Sequence, residues 1–194
     1  MTTDQPLVLA SSSPRRLALL RQAGIEPTRI ESPQINEAAV RQELPRVHAL
    51  RLALAKKTAV CSRAGSGPAF VIAADTVVAC GRRILPKTME EGEAERCLRL
   101  LSGRRHRVYT GVAVSGPHGE ANRVAMTVVR FKRLQDQEIT AYLNSGEWRG
   151  KAGGYAIQGR AETFVTAING SYSNVVGLPL AITIDLLRGL GWRG

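Results

Sequence analysis

The chain has 194 residues, of which 44% are hydrophobic, so it is long and apolar enough to bury a core. No apolar run approaches the ~18 residues of a membrane span, and the N-terminus lacks the features of a signal peptide, so we expect a cytoplasmic protein without a membrane partner. The formal charge of +11 is spread along the chain and only 5% of residues are aromatic. This pattern weakens a nucleic-acid interpretation but favours a polyanionic partner, for which a nucleoside triphosphate fits as well as a polymer. Three widely separated cysteines argue against a disulfide framework or a structural zinc site.

The first predicted elements are a buried strand over 7–10, LVLA, and a helix whose apolar residues follow at helical spacing. Ser13 is suited to the N-cap and Pro14 to the first helical position. Arg15 and Arg16 then fall in the first turn, where the helix dipole opposes each cation by about 0.3–1 kcal/mol. A bound phosphate would offset that cost, so we consider a phosphate site here; the alternative is that both side chains extend into solvent.

The remaining elements are predicted from hydrophobic periodicity and from the prolines and glycines that mark where helices and strands start or end. In chain order, we predict a short strand and loop over 28–37, a helix from Pro45 to about Cys61, a loop over 63–69, a strand over 70–81, a helix over 91–103, adjacent strands over 106–114 and 123–131, a helix over 136–146, and a final helix opened by Pro179. Strands and helices without regular alternation indicate an α/β or α+β fold around one mixed, partly antiparallel sheet.

Asp75 is the most unusual residue of the predicted strands, because it lies within the apolar run FVIAADTVVACG. Burying a carboxylate is costly unless a cation or hydrogen-bond donors meet it, and carboxylates in such places are often metal ligands or general bases. The alternative is a turn residue at the end of a shorter strand. Since Thr76, Val77 and Val78 are β-branched and follow without a turn residue, we favour the functional interpretation.

Three further side chains are candidates for phosphate or metal chemistry. Glu37, on a loop after a strand, is the second carboxylate considered for a magnesium site, although alone it resembles an ordinary surface residue. Lys56 and Lys87 could meet phosphates, although a single lysine is more often solvated surface. A Walker-type phosphate loop is absent, and nothing marks a nucleophile beside a histidine.

Six stretches, taken in order, resemble the Maf family of nucleoside triphosphate pyrophosphatases. They are LASSSPRR, AADTVV, the lysine after RIL, LSGRRHRVYTGVAV, KAGGYAIQG and INGSYSNVVGLPL. Together they span nearly the whole chain, and their order is far more specific than any one of them. The resemblance implies a single domain over 1–194 with an elongated α/β fold like that of the ITPases. Such a fold has a mixed sheet with flanking helices and two lobes around a central cleft.

The resemblance also implies an activity, namely cleavage between the α- and β-phosphates to give a nucleoside monophosphate and pyrophosphate. A divalent cation, Mg²⁺ or Mn²⁺, and a homodimer are implied with it. The string YAIQG is associated with the subgroup that acts on dTTP and UTP. Two alternatives stay open: a family member with another base preference, such as 7-methyl-GTP, and a non-catalytic protein that binds nucleic acid or regulates division.

By the same resemblance, Asp75 is the proton acceptor, with Lys56 and Lys87 as catalytic cations, while Glu37 and Asp75 would hold the metal. Whether Asp75 acts as base, as metal ligand or as both is left open. The predicted substrate-binding residues are of two kinds: Arg15, Thr76 and Gln158 match the positions that set base specificity, and Ser11 and Arg16 match other residues of the polar cleft. The chain departs from the family pattern at two places, with Thr88 where proline usually follows Lys87, and with Gly150 where aspartate is frequent.

Overall fold

A mixed sheet forms the centre of the protein in the computed structural model, which describes residues 5–63 and 69–194. The strands of these residues are β1 Leu7–Ala10, β2 Arg29–Glu31, β3 Phe70–Cys80, β4 Arg83–Leu85, β5 Lys87–Thr88, β6 Arg105–Gly116, β7 Gly119–Phe131, β8 Lys151–Ala152 and β9 Val165–Asn169. The central sheet has the order β2-β1-β3-β6-β7-β9, with β4 paired to β3, and β5 and β8 form a separate small sheet.

The central sheet combines parallel and antiparallel pairs. β1 runs parallel to β2 and β3, whereas the β3–β6, β6–β7 and β7–β9 pairs are antiparallel. The register places Asp75 opposite Gly111 and Thr76 opposite Thr110. The predicted mixed, partly antiparallel sheet is therefore confirmed, as is the adjacency of the two long strands β6 and β7.

Helices flank this sheet, as expected for the α/β class. Those in the described residues are α1 Pro14–Gln22, α2 Pro45–Cys61, α3 Glu91–Leu101, α4 Asp136–Asn144, α5 Tyr172–Val176 and α6 Leu180–Gly189, with a 3-10 turn over Arg160–Phe164. α1 begins at Pro14 and α2 has the predicted bounds. Across residues 5–63 and 69–194, no helix combines the length and the apolar character that a membrane crossing needs.

A close approach between α2 and the sheet positions the site. A Cβ atom added at Gly111 of β6 would lie 2.4 Å from the backbone oxygen of Ala49 on α2, so only glycine allows the helix to lie this close. β4, β5 and α5 were not predicted, because elements of two to five residues show no periodicity. The loop predicted over 63–69 falls mainly on 64–68, outside the described residues, and the single domain over 1–194 stays a prediction.

Candidate active site

A cavity of about 400 Å³ opens between the N-terminus of α1 and the segment 149–158. Its lining includes eight of the nine side chains predicted for the site, namely Ser11, Arg15, Arg16, Glu37, Lys56, Thr76, Lys87 and Gln158. The ninth, Asp75, lines an adjoining cavity of about 410 Å³ that shares Glu37, Thr76 and Lys87 with the first. The fold therefore gathers all nine around two neighbouring cavities.

Two lysines and two carboxylates form an ion cluster where the cavities meet. The Nζ atom of Lys56 lies 2.5 Å from Oδ1 of Asp75 and 2.6 Å from Oε1 of Glu37. The Nζ atom of Lys87 donates to the other carboxylate oxygen of Glu37 and lies 4.0 Å from Oδ1 of Asp75. Each carboxylate thus faces both ammonium groups, and the two positive charges of the cluster balance its two negative charges.

The buried half of this cluster, which we call the inner wall, consists of Asp75 and Lys56. Asp75 lies within β3 and is 1% exposed, as its place in an apolar strand predicts. Lys56 lies on the sheet-facing side of α2 and is 6% exposed. Removing two charges from water costs several kcal/mol per ion, which only close pairing can offset, so each of these residues depends on the other.

The exposed half of the cluster consists of Glu37 and Lys87, and we call these two residues together with Gln158, which lines the same cavity, the outer rim. The side chains of Glu37 and Lys87 are 39% and 46% exposed, and Gln158 is exposed at the mouth of the cavity. Burial raises the pKa of the Glu37 carboxyl, but hydrogen bonds from Lys56 and Lys87 outweigh this effect and lower the pKa to about 2. Glu37 is therefore ionised across the physiological range.

Arg16 points into the protein, although it lies in the first turn of α1. Its guanidinium group donates from Nε to the backbone oxygen of Gly177 at 2.8 Å, from Nη1 to Oγ of Ser11 at 3.0 Å, and from Nη2 to Oγ1 of Thr76 at 3.3 Å. Ser13 occupies the N-cap position as predicted, but its side chain makes no capping bond. Arg16 consequently joins α1, β3 and the end of α5, which is a bracing role that the sequence did not suggest.

Arg15 has a different environment from its neighbour. It lines the cavity, and its Nε atom is buried without a hydrogen-bond partner among the described residues. Burial lowers the pKa of Arg15, and burial together with the charge of Arg15 lowers the pKa of Lys151, which lines the same cavity. Burial disfavours the charged form of both groups and the charge of Arg15 further disfavours that of Lys151, so an anion in the cavity would stabilise both cations.

Gln158 lies on a backbone segment that is held tightly while its side chain is free. The backbone N–H of Ala156 donates to the hydroxyl of Tyr142 at 3.1 Å, and the hydroxyl of Tyr155 lies 2.7 Å from Nε2 of His106. The backbone N–H of Arg160 donates to the Glu147 carboxylate at 2.8 Å. Within the described residues the amide of Gln158 makes no hydrogen bond, so the backbone places the side chain without fixing its orientation.

The two departures from the family pattern contact each other. The backbone N–H of Gly150 donates to the backbone oxygen of Thr88 at 2.8 Å, and the Thr88 hydroxyl donates to the backbone oxygen of Trp148 at 2.9 Å. Gly150 has φ +65°, a left-handed conformation that glycine adopts without strain. These bonds fix β5 against β8 and so hold the backbone of Lys87, which lies next to Thr88.

The residues present suit a hard divalent cation only in part. Among residues 5–63 and 69–194, no group of three or more His, Cys, Asp or Glu side chains could enclose a metal ion. Glu37 and Asp75 nevertheless meet at one ammonium group and offer the oxygen donors that Mg²⁺ prefers. Mg²⁺ is commonly held by one or two carboxylates together with substrate phosphates, so this pair fits a cation shared with a nucleotide.

Sequence reasoning missed the residues that support the site from behind. Gly177, which accepts from Arg16, and Tyr142, which accepts from Ala156, lie far along the chain from their partners. Gly177 has φ +136°, and the glycine before LPL in the sequence was the available signal for a special backbone position. Nothing in the sequence indicates a role for the hydroxyl of Tyr142, because this residue is 2% exposed and has the pattern of an ordinary core residue.

Comparison with known proteins gives consistent matches over the full chain. The chain is 56% identical over 194 residues to a dTTP/UTP pyrophosphatase of Caulobacter vibrioides, and the alignment covers 100% of both chains. It is 58% identical over 187 residues to a dTTP/UTP pyrophosphatase of Maricaulis maris, covering 96% of this chain and 88% of that one. A dTTP/UTP pyrophosphatase of Mesorhizobium japonicum is 54% identical over 198 residues, covering 100% and 95%.

Solved structures and a family model were also compared. The chain aligns with the Ham1 protein of Staphylococcus aureus at TM-score 0.43 and 14% identity, covering 66% of this chain and 72% of that one. It aligns with a dITP/XTP pyrophosphatase of Mycobacterium abscessus at TM-score 0.46 and 16% identity, covering 98% and 100%. The family model described as Maf-like protein matches residues 6–190. With that match and relatives above 50% identity, the chain belongs to the Maf family.

Proposed function

We propose that this protein hydrolyses dTTP and UTP to the nucleoside monophosphate and pyrophosphate. The observation that carries the proposal is the ion cluster of Lys56, Lys87, Glu37 and Asp75 beside a cavity lined by further cations. The substrates are those of the relatives, which are dTTP/UTP pyrophosphatases. The proposal also includes the homodimer that the family resemblance implies and the cytoplasmic location that we expect from the sequence.

The cavity's positive groups would hold the triphosphate in line for attack. Arg15 and Lys151 lack a carboxylate partner within hydrogen-bond distance among the described residues, and the positive end of α1 faces the same space. Lys87, at the exposed rim, can exchange Glu37 for a phosphate oxygen with little loss, because exposed ion pairs contribute only about 0–1 kcal/mol. Positioning of this kind supplies most of the catalysis in phosphoryl transfer.

The inner wall would supply the chemistry. Asp75 accepts the proton of the attacking water, while Lys56, together with Lys87 of the outer rim, stabilises the negative charge that develops on the leaving pyrophosphate. Glu37 and Asp75 would hold a divalent cation together with the phosphates. When bound, that cation would neutralise phosphate charge and polarise the scissile bond. Lys56 also fixes the orientation of Asp75 through their hydrogen bond of 2.5 Å.

The test is a product assay on a panel of triphosphates that includes dTTP, UTP, the other common nucleotides and 7-methyl-GTP. We expect pyrophosphate and monophosphate from dTTP and UTP, loss of activity with EDTA, and recovery with added Mg²⁺ or Mn²⁺. Protein with Asp75→Asn, purified in parallel, controls for contaminating enzymes. Orthophosphate as the first product would contradict the proposal, because it would mean attack at the terminal phosphorus. Binding of triphosphates without turnover would favour a non-catalytic role.

A further inference from the structure

The loop over 32–44, which joins β2 to α2, brings Glu37 to the ion cluster without any regular secondary structure. Glu37 must nevertheless lie close to Lys56 and Lys87 at the same time. A loop without a sheet or helix to order it loses backbone conformational entropy at every residue that is fixed. Other contacts must therefore hold the loop in place.

Glu43, near the end of that loop, is the centre of such contacts. Its Oε1 atom accepts from Nε of Arg51 at 2.7 Å, and its Oε2 atom accepts from Nη2 of Arg51 at 2.8 Å. Oε2 also accepts from the backbone N–H of Val40 at 3.0 Å and lies 2.8 Å from Nδ1 of His48. With its side chain only 6% exposed, Glu43 is a buried acceptor whose two oxygens are fully engaged.

These contacts reach the residues next to Glu37. Arg51 Nη2 donates to the backbone oxygen of Ala38 at 3.0 Å as well as to Glu43. The pair thus holds the loop at Ala38 and at Val40, one and three residues after Glu37. A bidentate arginine–carboxylate pair also fixes direction, which a single hydrogen bond does not.

The same contacts attach the loop to the helix that carries the catalytic lysine. His48 and Arg51 lie on α2 ahead of Lys56, and α2 is packed tightly on the sheet that carries Asp75. His48 is 5% exposed and lines the cavity that also contains Asp75 and Glu37. The position of Glu37 relative to the inner wall is therefore set through Glu43 and α2.

We propose that Glu43, held by Arg51 and His48, is a positioning residue that sets Glu37 against Lys56 and Asp75. This rests on the proposed function, because it assigns Glu43 an effect on triphosphate hydrolysis that is exerted through Glu37. A merely structural residue would alter activity whether or not Glu37 kept its carboxylate. A positioning residue matters only while Glu37 can act.

The test is a double-mutant cycle on kcat/KM for dTTP, with Glu43→Gln, Glu37→Gln and the double variant. We expect Glu43→Gln to lower kcat/KM by about tenfold in the wild-type background and by less than about twofold in the Glu37→Gln background. Equal losses in both backgrounds, or no loss in either, would overturn the proposal. Glu26→Gln is the matched control, because it breaks a bidentate pair with Arg21, at 2.8 Å for both bonds, away from the cavity.

Hydrogen exchange of the loop provides a readout that does not need activity. We expect amides over 36–41 to exchange faster in Glu43→Gln than in wild type, with other regions unchanged, and unchanged exchange would overturn the proposal. If Glu43→Gln fails to fold, Arg51→Lys takes its place in both measurements, because it keeps the charge but loses the bidentate geometry. A wild-type protein that hydrolyses no triphosphate would refute the proposed function instead, and exchange alone would then decide whether Glu43 orders the loop.

Discussion

The inner wall and the outer rim of the site carry similar charges in very different settings. The side chains of Asp75 and Lys56 are 2% and 8% exposed and belong to a central strand and a long helix, whereas the side chains of Glu37 and Lys87 are 39% and 46% exposed and belong to a loop and a two-residue strand. Buried charges cannot rearrange without losing each other, while exposed ones can change partner at little cost. The comparison indicates that the wall is built for chemistry and the rim for meeting the substrate.

The largest expected effect is that of Asp75→Asn in the inner wall. The substitution keeps size and shape but removes the proton acceptor, so we expect turnover of dTTP to fall by at least ~100-fold. Steady-state assays measure the loss, and circular dichroism checks that the fold is kept. Near-normal turnover in the folded variant would remove the chemical distinction between wall and rim.

Substituting one lysine in each region tests directly whether the inner wall and the outer rim differ in their contributions to stability and activity. Lys56→Met leaves Asp75 buried without its cation, so we expect a loss of about 3 kcal/mol in the free energy of unfolding together with most of the activity. Lys87→Met removes an exposed partner, so we expect a change below about 1 kcal/mol, with KM raised more than kcat is lowered. Denaturant unfolding and kinetics measure both, and similar destabilisation by the two changes would break the comparison.

Arg15 and Arg16 extend the comparison to the end of the cavity that lies beside the N-terminus of α1. Arg16→Ala removes three internal hydrogen bonds, so we expect the ligand-free protein to lose about 1–3 kcal/mol of stability. Arg15→Ala removes a cation whose Nε has no hydrogen-bond partner among the described residues, so we expect unchanged or slightly higher stability and weaker nucleotide binding. Thermal unfolding with and without a non-hydrolysable dTTP analogue distinguishes them, and a destabilised Arg15→Ala protein would contradict this assignment.

A substitution at Gln158 tests whether the outer rim recognises the nucleotide base. A glutamine amide can pair with both N3–H and O4 of thymine or uracil, and glutamate loses the donors that O4 needs. We expect Gln158→Glu to lower kcat/KM for dTTP and UTP by about tenfold more than for other triphosphates, measured on the same panel. An equal loss for every base would show that Gln158 acts on the phosphates or the fold.

The smallest expected effect is a pH-dependent difference in stability between wild type and Glu43→Gln. The hydrogen bond from Arg51 lowers the pKa of Glu43 from its ordinary 4.5 to about 2. A depressed carboxyl pKa stabilises the fold above pH 4.5, and the stabilisation is lost as pH falls toward 2. We expect the Tm of wild type to exceed that of Glu43→Gln by a few degrees at neutral pH, and the difference to narrow below pH 4.5 in thermal unfolding experiments. A difference that does not change with pH would contradict this prediction.

Much of the fold and part of the site could be predicted from local patterns. Proline at the first helical position placed the starts of both α1 and α2. Asp75 stood out because a charged residue inside an apolar strand is costly. These features depend on neighbours in sequence, which a single chain displays directly.

The remaining features depend on contacts between distant residues. The inward direction of Arg16 requires Gly177, 161 positions later, and the contact between Thr88 and Gly150 is equally invisible in either local stretch. Lys56 reads as a surface residue of a helix, since lysines are rarely buried without a partner, and only the sheet supplies Asp75. Local patterns therefore identified Asp75, the family resemblance identified Glu37, Lys56 and Lys87, and tertiary packing decided which of these charged groups are fixed.

Gly111 has a consequence for how mutational libraries of this protein should be interpreted. The spacing between Lys56 and Asp75 is set where α2 lies on β6, at a residue that has no side chain and sits opposite Asp75 in the sheet. Any larger residue there must move the helix, because the obstructing atoms belong to the backbone of Ala49 and Leu50. An uncharged residue that lines neither of the two cavities would thus rank with the charged residues in a functional screen, because its substitution displaces the helix rather than removing a reactive group.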